Sequence, residues 1–147
     1  MYKKILAPID GSARAEKILP HVEEIALRYQ ASVTLLLVID PAADISTAGL
    51  IAPLPDQLAS VRKEAETYLN GVEARLKEKK IETQALVGTG IPLEVICQTA
   101  EQENVDLIAL ASHGRTGAAR LFYGSVAAGV LNRIDRPLLI IRSREGE

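Results

Sequence analysis

The residues with the most chemistry to offer lie between Leu107 and Ile134, where Ala111-Ser112-His113-Gly114 is followed, nine residues on, by Gly124-Ser125. The apolar run Leu107 to Ala111 reads as a strand. Gly114, Gly117 and Gly124 punctuate the loop after it, and a helical pattern opens at Ser125. A junction of this kind gathers backbone N–H groups that have no intrahelical partner and aims them, with the positive end of the helix dipole, at one place. Anions bind there, phosphates above all. Glycine lets the chain take φ > 0 and lets a ligand approach bare backbone, while the Ser125 hydroxyl adds a donor. Any one of these glycines could equally serve a tight turn. Three of them in one strand-to-helix connection, flanked by Ser-His and Gly-Ser, point instead to a phosphate cradle. Neither a Gly-Lys-Ser/Thr motif nor a GxGxxG after the first strand occurs, so the pattern is not a P-loop or an ordinary dinucleotide site.

Five other residues have weaker claims. Asp10 closes the first apolar run and reads either as a ligand contact or as a cap for the helix that follows. His113 has no carboxylate partner in sequence and is read as a loop-structuring residue rather than a general base. Arg115 can reach a phosphate or point into water. His21 is read as a surface residue. Cys97, the only cysteine, lies on an apolar helical stripe and is read as a small buried hydrophobe.

The elements that must position these groups alternate along the chain. Lys3 to Asp10 reads as a strand ending in the turn Asp10-Gly11-Ser12, and a helix runs from there to about Gln30, with Pro20 expected to kink it or mark a boundary. Ser32 to Ile39 is almost continuously apolar, as a strand buried on both faces of a parallel sheet should be. Residues 40–55 have no period and read as a flap or partner-contact segment, with plain disorder the alternative. A long helix is expected from Asp56 to Lys80 on the stripe Leu58, Val61, Ala65, Leu69, Val72 and Leu76. An alternating edge strand follows from Ile81 to Val87, then a turn at Gly88-Thr89-Gly90 and a helix from Pro92 to Glu103. Leu107 to Ser112, Ser125 to Ile134 and Pro137 to Arg142 supply the last strand, helix and strand, and the tail 143–147 is expected to fray. Five strands alternating with four helices give an α/β, open, doubly wound, Rossmann-like parallel sheet. Its ligand belongs outside the carboxyl ends of the strands where the strand order reverses. If the fourth strand returns beside the first, that crevice lies between Asp10 and Ser112.

Composition narrows the function classes. At 147 residues the chain is the size of one domain, with 48% apolar residues and a mean hydropathy of +0.11. Its 17 basic and 19 acidic residues leave a net charge of −2 and a pI of about 5.8, which offers no footprint for nucleic acid or an anionic membrane. Aromatic residues make up only 3%, which counts against stacking platforms and flavin sites. One cysteine, no long apolar run and no signal-peptide pattern give the expectation of a cytoplasmic protein.

With Ile5-Leu6-Ala7-Pro8-Ile9-Asp10-Gly11-Ser12, Val38-Ile39-Asp40 and the block Ala111-Ser112-His113-Gly114-Arg115-Thr116-Gly117 … Gly124-Ser125-Val126 in hand, the chain resembles a single-domain universal stress protein over essentially its whole length. The nucleotide-binding branch of that family carries G-2x-G-9x-G-[S/T], of which this chain has the second and third glycines and the serine. The resemblance implies the strand order 3-2-1-4-5, a homodimer, and ATP, or AMP or ADP in its place, between the first and fourth strands. Adenine would meet Ala7, Pro8, Ile9 and Val38, with Asp10 in polar contact with the adenosine moiety. The phosphates would lie over Ser112, His113, Gly114, Arg115 and Gly117, capped by Gly124, Ser125, Val126 and Ala127. Mg²⁺ or Mn²⁺ would bridge phosphate oxygens without a protein side chain, and no residue is assigned a catalytic role. Ala111 stands where the pattern has its first glycine. That departure costs little if the backbone there has φ < 0 and weakens the site if φ > 0 is needed. Two functions follow: an ATP-binding regulatory protein that is at most a slow hydrolase, or a dimeric interaction module whose pocket Ala111 has weakened. A phosphotransferase or flavodoxin-like carrier ranks behind both. In the implied order Leu138-Leu139-Ile140-Ile141 forms a bare apolar sheet edge, so the dimer is expected through Pro137 to Arg142.

Overall fold

Parallel strands buried on both faces read as apolar runs, and the chain builds its sheet from such runs. The computed structural model describes residues 1–42, 55–112 and 125–142. Residues 43–54 of the flap expected over 40–55, the loop at 113–124 and the tail at 143–147 therefore fall outside the described residues. The sheet contains β1 (Lys4–Pro8), β2 (Ser32–Ile39), β3 (Thr83–Thr89), β4 (Leu107–Ala111) and β5 (Leu138–Ile141), ordered β3-β2-β1-β4-β5 with every pairing parallel. The strand order reverses between β1 and β4, as the sequence led us to expect.

Helices cover both faces. On one face lie α1 (Ala13–Glu16), α2 (Leu19–Tyr29) and α3 (Pro55–Glu78), whose Ala15, Ile18, Val22, Leu69, Val72 and Leu76 pack with Ile5, Ala7, Ile9, Leu35 and Ala109. On the other lie α4 (Pro92–Gln102) and α5 (Ser125–Arg133), whose Ile96, Ala100, Ala127 and Val130 pack with Leu6, Leu36, Ile108 and Leu110. The alternation of strand side chains between the two faces produces both cores at once.

Three local features refine the sequence reading. The first helical stretch is broken before Pro20, so that proline occupies the first turn of α2, where its missing N–H costs nothing. The third strand sits two residues later than expected, because β2 continues to Ile39 and draws Val38 and Ile39 into pairing with Gly88 and Thr89. Ile81 is left to the turn, where its N–H donates to the Leu76 carbonyl after Lys80 adopts φ 67°. Of the long helix's apolar stripe, Ala65, Leu69, Val72 and Leu76 are buried, whereas Val61 is exposed.

Candidate functional site

At the carboxyl end of β1 the chain must turn sharply into α1. Gly11 makes that turn at φ +87°, a region costly for any residue with a β-carbon. The Asp10 Oδ1 atom accepts from the Ser12 N–H at 3.0 Å and from the Ser12 hydroxyl at 2.6 Å. Ser12 Oγ in turn accepts from the Ala15 N–H at 3.1 Å and is the N-cap of α1. Of the two readings of Asp10, the cap is made by Ser12 instead, with Asp10 bracing it. The Tyr68 ring lies below, 4.0 Å from where a β-carbon on Gly11 would stand. Burial, and then the neighbouring Glu16 carboxylate, push the Tyr68 hydroxyl well above the ordinary phenol pKa. Arg75 holds Glu16 at 2.9 Å.

β4 brings the second group. Its ladder to β5 extends past Ala111, since the Ser112 N–H donates to the Ile141 carbonyl at 2.8 Å. Ser112 follows Ile108 and Leu110 on the face that α4 and α5 cover. Its side chain is 2% exposed, and its hydroxyl has no hydrogen-bond partner among the described residues. An unpaired buried hydroxyl costs about 1–3 kcal/mol, so its position at the switch point calls for a partner. β1 and β4 pair in parallel, Ile5 with Leu107 and Leu6 with Ile108, so Asp10, just past the end of β1, and Ser112, just past the end of β4, both follow the carboxyl ends of neighbouring strands.

α5 completes the crevice. Its nine residues, about 13 Å of helix, return the chain toward the start of β5, so its N-terminus stands at the carboxyl end of the sheet. Ser125 is exposed there and Val126 is half-buried, while the Ala127 side chain is committed to the core. What Ala127 can present to a ligand is therefore its backbone amide in the first turn.

The other expected contacts divide in the same way. Pro8 and Val38 are half-buried on the α4 and α5 face, whereas Ala7 and Ile9 spend their side chains on the opposite core. Ala111 is an ordinary strand residue paired with Ile141 and is not among the described non-glycine residues with positive φ, which are Gln30, Lys80 and Asn104. His113, Gly114, Arg115, Gly117 and Gly124 lie outside the described residues. His21 is exposed. Cys97 is buried on α4, and burial raises its thiol pKa. Among the described residues no three His, Cys, Asp or Glu side chains converge on a point that could hold a metal ion.

Sequence reasoning missed the placement of Tyr68 near Gly11, because an isolated tyrosine on a long helix carries no spacing signal. The missing hydrogen bond of Ser112 was equally invisible, being a property of packing.

These features define a doubly wound α/β protein whose strand order reverses between β1 and β4, with the buried Ser112 hydroxyl, unpartnered among the described residues, just past the end of β4. Over residues 1–142 the sequence matches the Universal stress protein family, and the chain belongs to that family. Universal stress protein MJ0577 of Methanocaldococcus jannaschii is 31% identical over 98% of this chain and 97% of its own length. A solved structure of MJ0577 superposes with a TM-score of 0.87 over 99% of both chains. The fold is shared at lower identity by a universal stress protein solved in complex with cAMP (19% identical, TM-score 0.70, covering 97% of this chain and 98% of that one). It is also shared by the Arabidopsis thaliana protein At3g01520 with AMP bound (18% identical, TM-score 0.66, covering 99% and 94%).

Proposed function

We propose that this chain is an ATP-binding regulatory protein of the stress response that works as a homodimer in the cytoplasm, turning ATP over slowly at most. The observation that carries the reading is the Ser112 hydroxyl: buried, without a partner among the described residues, and just past the end of β4 where the sheet order reverses. Two proteins of the same fold hold cAMP and AMP, which supports an adenine nucleotide as the ligand class. In this reading the base lies against Pro8 and Val38 and the backbone of Ala7 and Ile9, and Asp10 is in polar contact with the adenosine moiety. The phosphates lie over Ser112 and the glycine-rich connection, capped by the first amides of α5 at Ser125, Val126 and Ala127. Mg²⁺ or Mn²⁺ rides on the phosphate oxygens.

The dimer forms through β5, whose Leu138, Leu139, Ile140 and Ile141 are all only half-buried at the edge of the sheet. The alternative, an interaction module with a weakened pocket, loses its backbone argument, because Ala111 needs no positive φ. Only the added methyl remains, and Ala111→Gly is expected to change ATP affinity by less than about threefold, roughly 0.7 kcal/mol.

The test is to denature the purified protein and identify released small molecules by mass spectrometry, then titrate the emptied protein with ATP and Mg²⁺. Released or bound adenine nucleotide, lost in Gly114→Val and Gly124→Val, supports the reading. Released FMN would indicate a carrier. Absence of binding in the unaltered protein would favour the interaction module.

A further inference from the structure

The two edges of this sheet are treated differently. Between β2 and the two ends of β3, the Val33 N–H donates to the Glu82 carbonyl at 2.8 Å and the Gly90 N–H donates to the Ile39 carbonyl at 2.9 Å. Even-numbered residues of β3 thus turn their backbone groups toward β2, and odd-numbered ones, Thr83, Ala85, Val87 and Thr89, turn theirs outward. An edge of this kind is a template for another strand unless something covers it. Here something does. Arg62, on α3, donates through Nη2 to the Val87 carbonyl at 3.3 Å and through Nη1 to Thr89 Oγ1 at 3.5 Å. Glu66, one turn on, holds the guanidinium at 3.3 Å, and the groove between α3 and β3 is lined by Arg62, Glu66, Asn70, Ala85 and Val87.

On the opposite edge, the Ile108 and Ser112 N–H groups donate to the Pro137 and Ile141 carbonyls, so Leu138 and Ile140 turn their backbone outward. The side chains of β5 itself are all aliphatic and can cap none of these groups.

We infer that Arg62 is a latch that closes the outer edge of β3 to strand addition by β5 of a second copy, and so confines self-association to pairing of β5 with β5. The inference rests on the reading of β5 as the dimer edge. Its logic is one of symmetry. Two β5 edges pair about a two-fold axis and leave nothing to continue, whereas β5 on β3 is a head-to-tail contact whose free ends recruit further copies. β5 is the fitting occupant because it is short and apolar, with its outward backbone groups uncapped by its own side chains, and because the same chain supplies it at the same concentration. The latch costs the fold almost nothing, since an exposed ion pair contributes little to stability.

The experiment compares the full chain with Arg62→Ala and Arg62→Met, the second keeping the alkyl stem and losing only the donors. Light scattering reads mass against concentration, and amide hydrogen exchange reads the outward amides of β3. We expect a single size for the unaltered protein. In both variants mass should rise about twofold or more with concentration, and exchange at Ala85, Val87 and Thr89 should slow about tenfold or more while β1 and β4 stay protected as before. Adding Ile140→Pro, which deletes an outward N–H of β5, should abolish that growth. Unchanged mass and exchange in both Arg62 variants would overturn the latch, and growth that survives Ile140→Pro would overturn β5 as its occupant. A monomeric unaltered protein would refute the dimer reading alone, because the comparison between the unaltered protein and the Arg62 variants still decides the latch.

Discussion

Ser112 and Tyr68 each carry a buried hydroxyl with no hydrogen-bond partner among the described residues, and they bear on different measurements. The Ser112 hydroxyl has no partner among the described residues, so the empty protein carries its desolvation cost. Ser112→Ala should therefore raise the stability of the nucleotide-free protein by about 1 kcal/mol and weaken ATP binding roughly 5- to 30-fold, the loss of one good hydrogen bond. Urea unfolding and calorimetric titration on the same sample check both halves, and a change in one without the other separates packing from binding. Tyr68 bears instead on alkaline stability. Its folded-state pKa is raised from the ordinary 10.0, first by burial and then by Glu16, so the folded state holds the proton more tightly than the unfolded chain does. Stability from this source is complete below about pH 10 and is lost as pH rises beyond it. Tyr68→Phe should flatten that decline, which urea midpoints at about pH 8 and about pH 11 would measure. In an ultraviolet titration the tyrosinate signal of the variant should lack the last-titrating component.

Among the elements, the helices are placed by how closely they approach one another, and two glycines separate propensity from packing. Gly71 lies mid-helix on α3 with nothing within 4 Å of where a β-carbon would go, so Gly71→Ala should stabilise by about 1 kcal/mol. Gly129 lies within α5, where the same substitution would set the new carbon 2.6 Å from Leu93 Cδ2 and 3.3 Å from Leu93 Cγ. Overpacking of that kind costs about 1–3 kcal/mol and exceeds the helical gain. Gly129→Ala should therefore melt lower than the unaltered protein, and it should also weaken nucleotide binding, because pushing α5 off α4 displaces the amides at its N-terminus. Thermal melts of the two variants side by side isolate the packing cost. Neither difference was legible in sequence, where Gly71 and Gly129 look alike. The order of elements was legible, because Ser32 to Ile39 is apolar almost throughout and Leu93, Ile96, Cys97 and Ala100 fall on one helical stripe. The two-residue displacement of β3 was not, since Gly88 and Thr89 have turn-like composition and only the length of β2 draws them into the ladder. At the site, Asp10 and Ser112 could be named from their places at strand ends, but the pairing of Asp10 with Ser12 depends on the geometry that Gly11 permits.

For the whole molecule, the proposed dimer turns on the apolar edge at β5. A stable dimer buries about 1,200–2,000 Å² in total, more than a four-residue ladder hides by its backbone alone. The half-buried side chains of Leu138, Leu139, Ile140 and Ile141 therefore have to contribute apolar area as well as position. Ile140→Pro tests this without disturbing the sheet, because the Ile140 N–H points away from β4 and proline is tolerated on an edge strand. Analytical ultracentrifugation at micromolar concentration should give a dimer for the unaltered protein and a monomer for the variant. Nucleotide affinity should stay within about twofold, since Asp10 and Ser112 follow the ends of β1 and β4, strands that do not form the outer edge. If affinity fell together with the dimer, the pocket would depend on assembly, and nucleotide would in turn have to favour the dimer by the same factor, because coupling between two equilibria is reciprocal.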